Sequence, residues 1–311
     1  MGIGSDSTRD AAVRAAAFAF LRDQSRQYPN AMPWTVLLAG FRHDGRRVPL
    51  VSQQGIFKPA VCDVPLSIRT APVVEGRERP YEDELSDDGL LLYRYRGTDR
   101  DHVENEGLRR AWHTRTPLVY LYGVAPGWYV PAWPVFIEHD DPGALAFAVS
   151  VGRQPDDLSG PLSLASLHTE SADVRRYATR TTLVRLHQKA FSARVLRAYG
   201  ERCAICRLRH RELLDAAHIL PDGHPRGRPV VPNGLALCTL HHAAFDRNVL
   251  GVTPDLMVEI RLDVLHEEDG PMLRHGLQGF HQSRLLVPRS PVLRPDRDCV
   301  AERYEMFRKA G

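Results

Sequence analysis

Apolar positions in the first thirty residues recur at helical spacing, and the Ala-rich run from Asp10 to Leu21 gives way at Tyr28-Pro29, where a proline ends the helix. Arg14 lies inside this run, which reads as a surface helix. Trp34 to Phe41 is a short apolar run closed by His43-Asp44-Gly45, the pattern of a strand and a turn. From there to Val151 the pattern is strand-like. Leu90–Tyr95, Pro117–Val124, Trp128–Ile137 and Ala144–Val151 are rich in β-branched, aromatic and aliphatic residues and are punctuated by Gly and Pro. One helix interrupts them at Glu104–His113, with Leu108, Ala111 and Trp112 on one side. A curved, mainly antiparallel sheet or barrel with flanking helices is predicted for residues 1–151.

Residues 152–177 have the Gly, Pro and Ser content of a linker. A helix follows from Ala178 to Tyr199, where Leu183, Leu186, Ala190, Ala193, Leu196 and Tyr199 recur at spacings of three and four before Gly200 stops it. In the tail, Met257–Leu262 reads as a strand and Asp296–Lys309 as a final helix. The prediction is an α+β protein with a β-rich first domain, a linker over 152–177 and a second domain over 178–311.

A chain of 311 residues suits two domains. No apolar run is long enough to span a bilayer and no signal-peptide pattern opens the chain, so the expected location is cytoplasmic. The net charge of +3 is uninformative as a total. Its distribution is not. Between Arg175 and Arg228 thirteen Lys or Arg face four Asp or Glu, a local excess that can attract a phosphate backbone, although a solvated helix face would look similar.

Five cysteines are present, and three of them fall close together. Cys62 and Cys299 read as isolated thiols. Cys203-Ala-Ile-Cys206 and Cys238-Thr-Leu-His241 form two knuckles that together supply four ligands, enough for a closed tetrahedral site holding structural Zn²⁺. The plain alternative is a metal-free fold with buried thiols.

Between the knuckles lie Leu214-Asp215-Ala216-Ala217-His218-Ile219 and Asn233-Gly234-Leu235, and the second knuckle runs on into His241-His242-Ala-Ala-Phe245-Asp246. This order over Cys203–Leu250 resembles the HNH (ββα-metal) nucleases. The resemblance implies two strands and a helix that clasp one divalent metal against a phosphodiester. It assigns His218 as general base, His242 and Asp246 as metal ligands, and Asn233 as the residue that pins the loop and orients His218. The imidazole of His218 suits proton abstraction near neutrality, and His242 and Asp246, four residues apart, share a helix face. Where many relatives carry another ligand before the base, this chain has Ala217, and either Asp215 substitutes, directly or through water, or the ion relies on Asn233 and solvent. The ion can then be Mg²⁺, Mn²⁺, Co²⁺ or Ni²⁺.

Tyr93-Arg-Tyr95-Arg-Gly97-Thr98-Asp99, followed by Glu104-Asn105-Glu106-Gly107-Leu108 and the runs at Pro117 and Trp128, resembles the SRA domain of the PUA-like superfamily over Leu90–Ile137. The resemblance implies a pocket for a flipped, modified cytosine, with Tyr95 stacking, Asp99 accepting from the exocyclic amine, and Arg94, Arg96 and Arg100 on flanking phosphates. These aromatics could equally be core residues of a barrel. Together the two resemblances imply a modification-dependent restriction endonuclease acting on double-stranded DNA that carries 5-methylcytosine or 5-hydroxymethylcytosine. Double-strand cleavage by single-strand sites would suit a homodimer. The alternatives are an HNH nuclease that reads unmodified sequence or shape, and a catalytically silent binder of modified DNA.

Overall fold

A computed structural model describes residues 3–72, 89–152, 172–268 and 270–310. The chain divides into two compact units, Met1–Ala190 and Phe191–Gly311. Most of the expected linker lies outside the described residues; its last six residues, 172–177, are helical.

The first unit opens with α1 (Ile3–Gln27), followed by β1 (Met32–Pro33), α2 (Trp34–Ala39) and the hairpin β2 (Phe41–His43) and β3 (Arg46–Val48). Next come β4 (Ile56–Phe57), β5 (Ser67–Arg69), β6 (Leu91–Arg94), α3 (Val103–His113), β7 (Leu118–Ala125), β8 (Trp128–Asp141) and β9 (Ala146–Val151). The long α4 (Ala172–Ala198) runs from the first unit into the second. A seven-stranded sheet has the order β4-β5-β7-β8-β9-β6, with β1 paired to β8. Among these pairs only β5–β7 is parallel. Among the described residues the sheet is a curled half-barrel that does not close, since β4 and β6 end the path.

Two local expectations change. Trp34–Ala39 is a helix, not a strand. Its apolar residues do not alternate, Pro33 precedes it, and Gly40 at φ 61° turns its N–H back onto the Val36 carbonyl. Nor is α1 a surface helix. Val13, Ala17, Phe18 and Leu21 pack with Val119 and Leu121 of β7 and with Tyr129 and Trp133 of β8. Arg14 goes inside with them at 1% exposure. It is tolerated there because it donates to Asp10 at 2.6 Å and to the carbonyls of Val64, Pro65 and Pro117 at 2.8–3.1 Å. The predicted turn at Asp44-Gly45 is present, both residues at positive φ (47° and 73°), as a two-residue hairpin requires.

The second unit holds the end of α4, a hairpin of β10 (Leu214–His218) and β11 (Gly234–Cys238), then α5 (Thr239–Asp246), and a second hairpin of β12 (Leu250–Val252) and β13 (Val258–Ile260). The short α6 (Leu262–Leu265) and α7 (Pro271–Gly276) lead to α8 (Arg297–Ala310). Phe191 and Val195 of α4, Leu235 and Leu237 of β11, Phe245 of α5 and Val300 of α8 share one core. Two glycines permit the closest approaches. A Cβ on Gly234 would lie 2.5 Å from Val195 and 2.9 Å from Phe191, and one on Gly251 would lie 2.6 Å from the Phe307 ring. Thus α4 seats on the base of β11, and α8 seats on β12.

Removing the guanidinium of Arg14 would strand a buried carboxylate and three carbonyls. Arg14→Leu is expected to destabilise the first unit by about 3 kcal/mol, seen as an earlier urea transition. An unmoved transition would show that this network does not hold α1 in place.

Candidate metal centre and nuclease cleft

The two knuckles meet. One ligand atom from each of Cys203, Cys206, Cys238 and His241 lies within 4.8 Å of the others, and among the described residues this is the group of three or more such side chains able to hold one metal ion. The first knuckle is shaped by Arg207 at φ 67°, whose N–H donates to the Cys203 carbonyl. It is tied to the hairpin by the Ala204 N–H donating to Ala236 at 2.7 Å. Cys238 ends β11 and His241 stands one turn into α5, with its Nδ1 3.1 Å from the Cys238 Sγ and 3.5 Å from the Cys203 Sγ. Cys206 Sγ is 3.9 Å from Cys238 Sγ. Hydrogen bonds from Cys238 and His241 hold the Cys203 thiol below its ordinary pKa. Three thiols and one imidazole form a donor set suited to zinc, and four protein donors leave no open position for chemistry. Cys62 and Cys299 are buried free thiols elsewhere.

His242, the next residue on α5, points to a different place. With His218, Asp222, Asp246, Asn248 and Arg303 it lines a cleft of about 460 Å³. His242 Nε2 is 3.3 Å from Asp246 Oδ2, and its Nδ1 is 3.4 Å from Asp215 Oδ2. Asp215 therefore meets the ring edge opposite Asp246 and does not line the cleft. Its carboxylate also accepts from the Ala216 N–H at 2.8 Å, and the neighbouring His242 holds its pKa below the ordinary range. The same contact raises the pKa of His242. Asp215 thus stands at Nδ1 of His242, on the ring edge away from Asp246 and outside the cleft lining. That departs from the ligand role expected for Asp215.

His218 ends β10, paired with Gly234. Its ring stacks on Phe191 at 4.1 Å, which is the approach that Gly234 leaves room for. Its Nε2 is buried with no hydrogen-bond partner among the described residues. Burial lowers its pKa and favours the neutral base. Asn233 is buried and fully committed: Oδ1 accepts from Leu220 N at 2.9 Å, and Nδ2 donates to the Leu220 and Arg228 carbonyls at 3.0 Å. It fastens the loop behind His218 and does not line the cleft. Asp222 and Arg303 were not anticipated. Asp222 sits just past the quoted motif, and Arg303 comes from a helix far along the chain with no local signal.

In the first unit, a cavity of about 270 Å³ is lined by residues that include Arg69, Tyr93, Tyr95 and Glu104, with Arg94 and Arg96 also on its wall. Tyr95 is buried. Its hydroxyl bonds to Asp140, its ring packs on Phe147 at 4.8 Å, and Arg109 lies 5.6 Å over its face. Asp99 does not line this cavity. It sits in an exposed turn where its Oδ1 accepts from the Asp101 N–H and its carbonyl accepts from buried Asn105. Arg100 is likewise exposed and outside the cavity wall. The carboxylate inside is that of Glu104, whose Oε2 is buried without a partner among the described residues, as is Nε of Arg69. Glu104 belongs to a run noticed in the sequence. Arg69 comes from β5, well outside it.

Cys206→Ala is expected to release the metal from the four-ligand cluster and to lower the unfolding temperature of the second unit, since such a site contributes folding free energy directly. Elemental analysis beside a thermal melt checks this. Unchanged metal content would remove the cluster from the account.

Residues 203–253 match the HNH endonuclease family. None of the curated proteins matches the chain. Among solved structures, a modification-dependent TagI restriction endonuclease is similar at 17% identity, covering 78% of this chain and 81% of that one, with a TM-score of 0.29. Among the described residues, no helix is long and apolar enough to cross a membrane. Through residues 203–253 the chain carries an HNH endonuclease domain, the domain of a metal-dependent nuclease.

Proposed function

We propose that this protein is a DNA endonuclease whose first domain, SRA/PUA-like, reads 5-methylcytosine or 5-hydroxymethylcytosine in double-stranded DNA, and whose HNH domain hydrolyses the phosphodiester. The observation that carries the nuclease half is the shared cleft of His218, His242 and Asp246. His218 takes the proton of the attacking water, and its ring is held by the Phe191 stack. Asn233 keeps the loop behind it fixed. His242 and Asp246 hold the divalent ion, and Asp215 sets the orientation of His242 from the far edge. When bound, the ion (Mg²⁺, Mn²⁺, Co²⁺ or Ni²⁺) supplies charge stabilisation at the phosphate and the leaving oxygen. Zn²⁺ in the Cys203, Cys206, Cys238 and His241 cluster is structural.

The modified-base half rests on the cavity of the first unit. Its volume is at the small end for ligand sites, which suits one flipped base. Tyr95 supplies an aromatic wall. Glu104 and Arg69 on its lining offer an acceptor and a donor chemically matched to the exocyclic amine and the acceptor edge of cytosine. Glu104 thus takes the part first given to Asp99. Arg94, Arg96 and Arg100 remain candidates for flanking phosphates. A cytoplasmic defence against foreign modified DNA and a homodimer that cuts both strands complete the reading.

His218→Ala is expected to cut the single-turnover rate by roughly 100-fold or more. The acid limb of the wild-type rate profile should fall below about pH 6.5, because a depressed histidine pKa keeps the neutral base available until the pH drops through that lowered value. Wild-type rates in His218→Ala would end its assignment as base.

Paired digests of methylated and unmethylated plasmid test the reader, with methylated DNA cut preferentially. Glu104→Gln should lower that preference by roughly tenfold, the scale of one lost hydrogen bond to a charged group. Equal cleavage of both plasmids by the wild type would sink the modification-dependent reading.

A further inference from the structure

The last helix closes one side of the nuclease cleft. Arg303 and Met306 of α8 line it beside His218, His242 and Asp246, although α8 lies well beyond the segment that matches the HNH family. Among the lining residues Arg303 is the only permanent cation, and it faces two carboxylates, Asp222 and Asp246. Such a wall repels a phosphodiester unless cations offset it.

The guanidinium is held, not loose. Nη1 donates to Asn248 Oδ1 and Nη2 to the Phe245 carbonyl, each at 2.5 Å, and the group lies 4.6 Å over the Phe245 ring. A purely structural role, capping the C-terminal carbonyls of α5, accounts for those two bonds. Among the described residues no further hydrogen bond is made by the five-donor fork, whose residue lines the cleft. A planar fork fixed on two sides is pre-organised to grip phosphate oxygens at little further entropic cost.

We propose that Arg303 holds the scissile phosphodiester, so that the C-terminal helix completes the active site from outside the HNH motif. This rests on the nuclease reading of the cleft. Arg303 binds non-bridging oxygens and positions the phosphorus for a water at His218, and it offsets the charge of Asp222 and Asp246 that the divalent ion alone would have to balance.

The test compares full-length wild type, Arg303→Gln and Arg303→Lys in single-turnover cleavage of duplex DNA, in the salt dependence of DNA binding without divalent metal, and in thermal melts. Arg303→Gln is expected to cut about 100-fold more slowly, and to lose about one unit of slope in the plot of log affinity against log salt. Arg303→Lys should recover most of the slope and part of the rate. Wild-type cleavage by Arg303→Gln would overturn the proposal. So would a slow Arg303→Gln that keeps the wild-type salt slope and melts earlier, since that marks a cap and not a phosphate contact. The wild-type digest reports separately on the nuclease reading, and the salt slope reports on Arg303 whether or not the wild type cuts.

Discussion

Adjacent residues on an α-helix point about 100° apart, and the second unit is built on that angle at one place. His241 and His242 are neighbours on α5, yet His241 turns to the three thiols and His242 to the cleft. The helix cannot rotate to improve one site without spoiling the other. The hairpin that carries Cys238 at one end and His218 at the other is bound by the same constraint, because its register pairs Leu214 with Cys238 and His218 with Gly234. A metal in the four-ligand cluster would fix the end of β11 and the first turn of α5, and would thereby fix how far His242 stands from His218.

The cleft adds a second layer of constraint through charge. The His242 ring lies between two carboxylates on opposite edges, so its orientation is set before any ion arrives. His218 is held by an apolar stack, which disfavours its charged form, whereas His242 is surrounded by anions that favour its charged form. Two imidazoles in one cleft are thereby pushed in opposite directions, His218 toward its neutral form and His242 toward its protonated form. Environment, not residue type, separates their protonation preferences.

The first unit shows the same physics in its buried polar groups. Arg14 and Asn105 are both deeply buried, and both are saturated with hydrogen bonds, so they fix loops and helix packing. Arg69 and Glu104, both on the lining of one cavity, each keep one buried atom with no hydrogen-bond partner among the described residues. An unmet donor and an unmet acceptor each cost stability on folding.

Local signals made much of this legible in the sequence. The two knuckles, the His218 strand, the Asn233-Gly234 pair and the spacing of His242 from Asp246 are short-range patterns, and each stands on the predicted element. Strands β6 to β9 of the first unit and the final helix were legible for the same reason. What the sequence could not carry were choices made by distant neighbours. Trp34–Ala39 became a helix between Pro33 and Gly40, and α1 was drawn inward because four acceptors wait for Arg14. Asp215 was turned to the back of His242 by the hairpin and helix packing, Glu104 replaced Asp99 on the cavity wall, and Arg303 reached the cleft from the far end of the chain. Periodicity and spacing report only what residues a few positions apart can do together. Which side chain faces which cavity is decided by packing between segments that are remote along the chain.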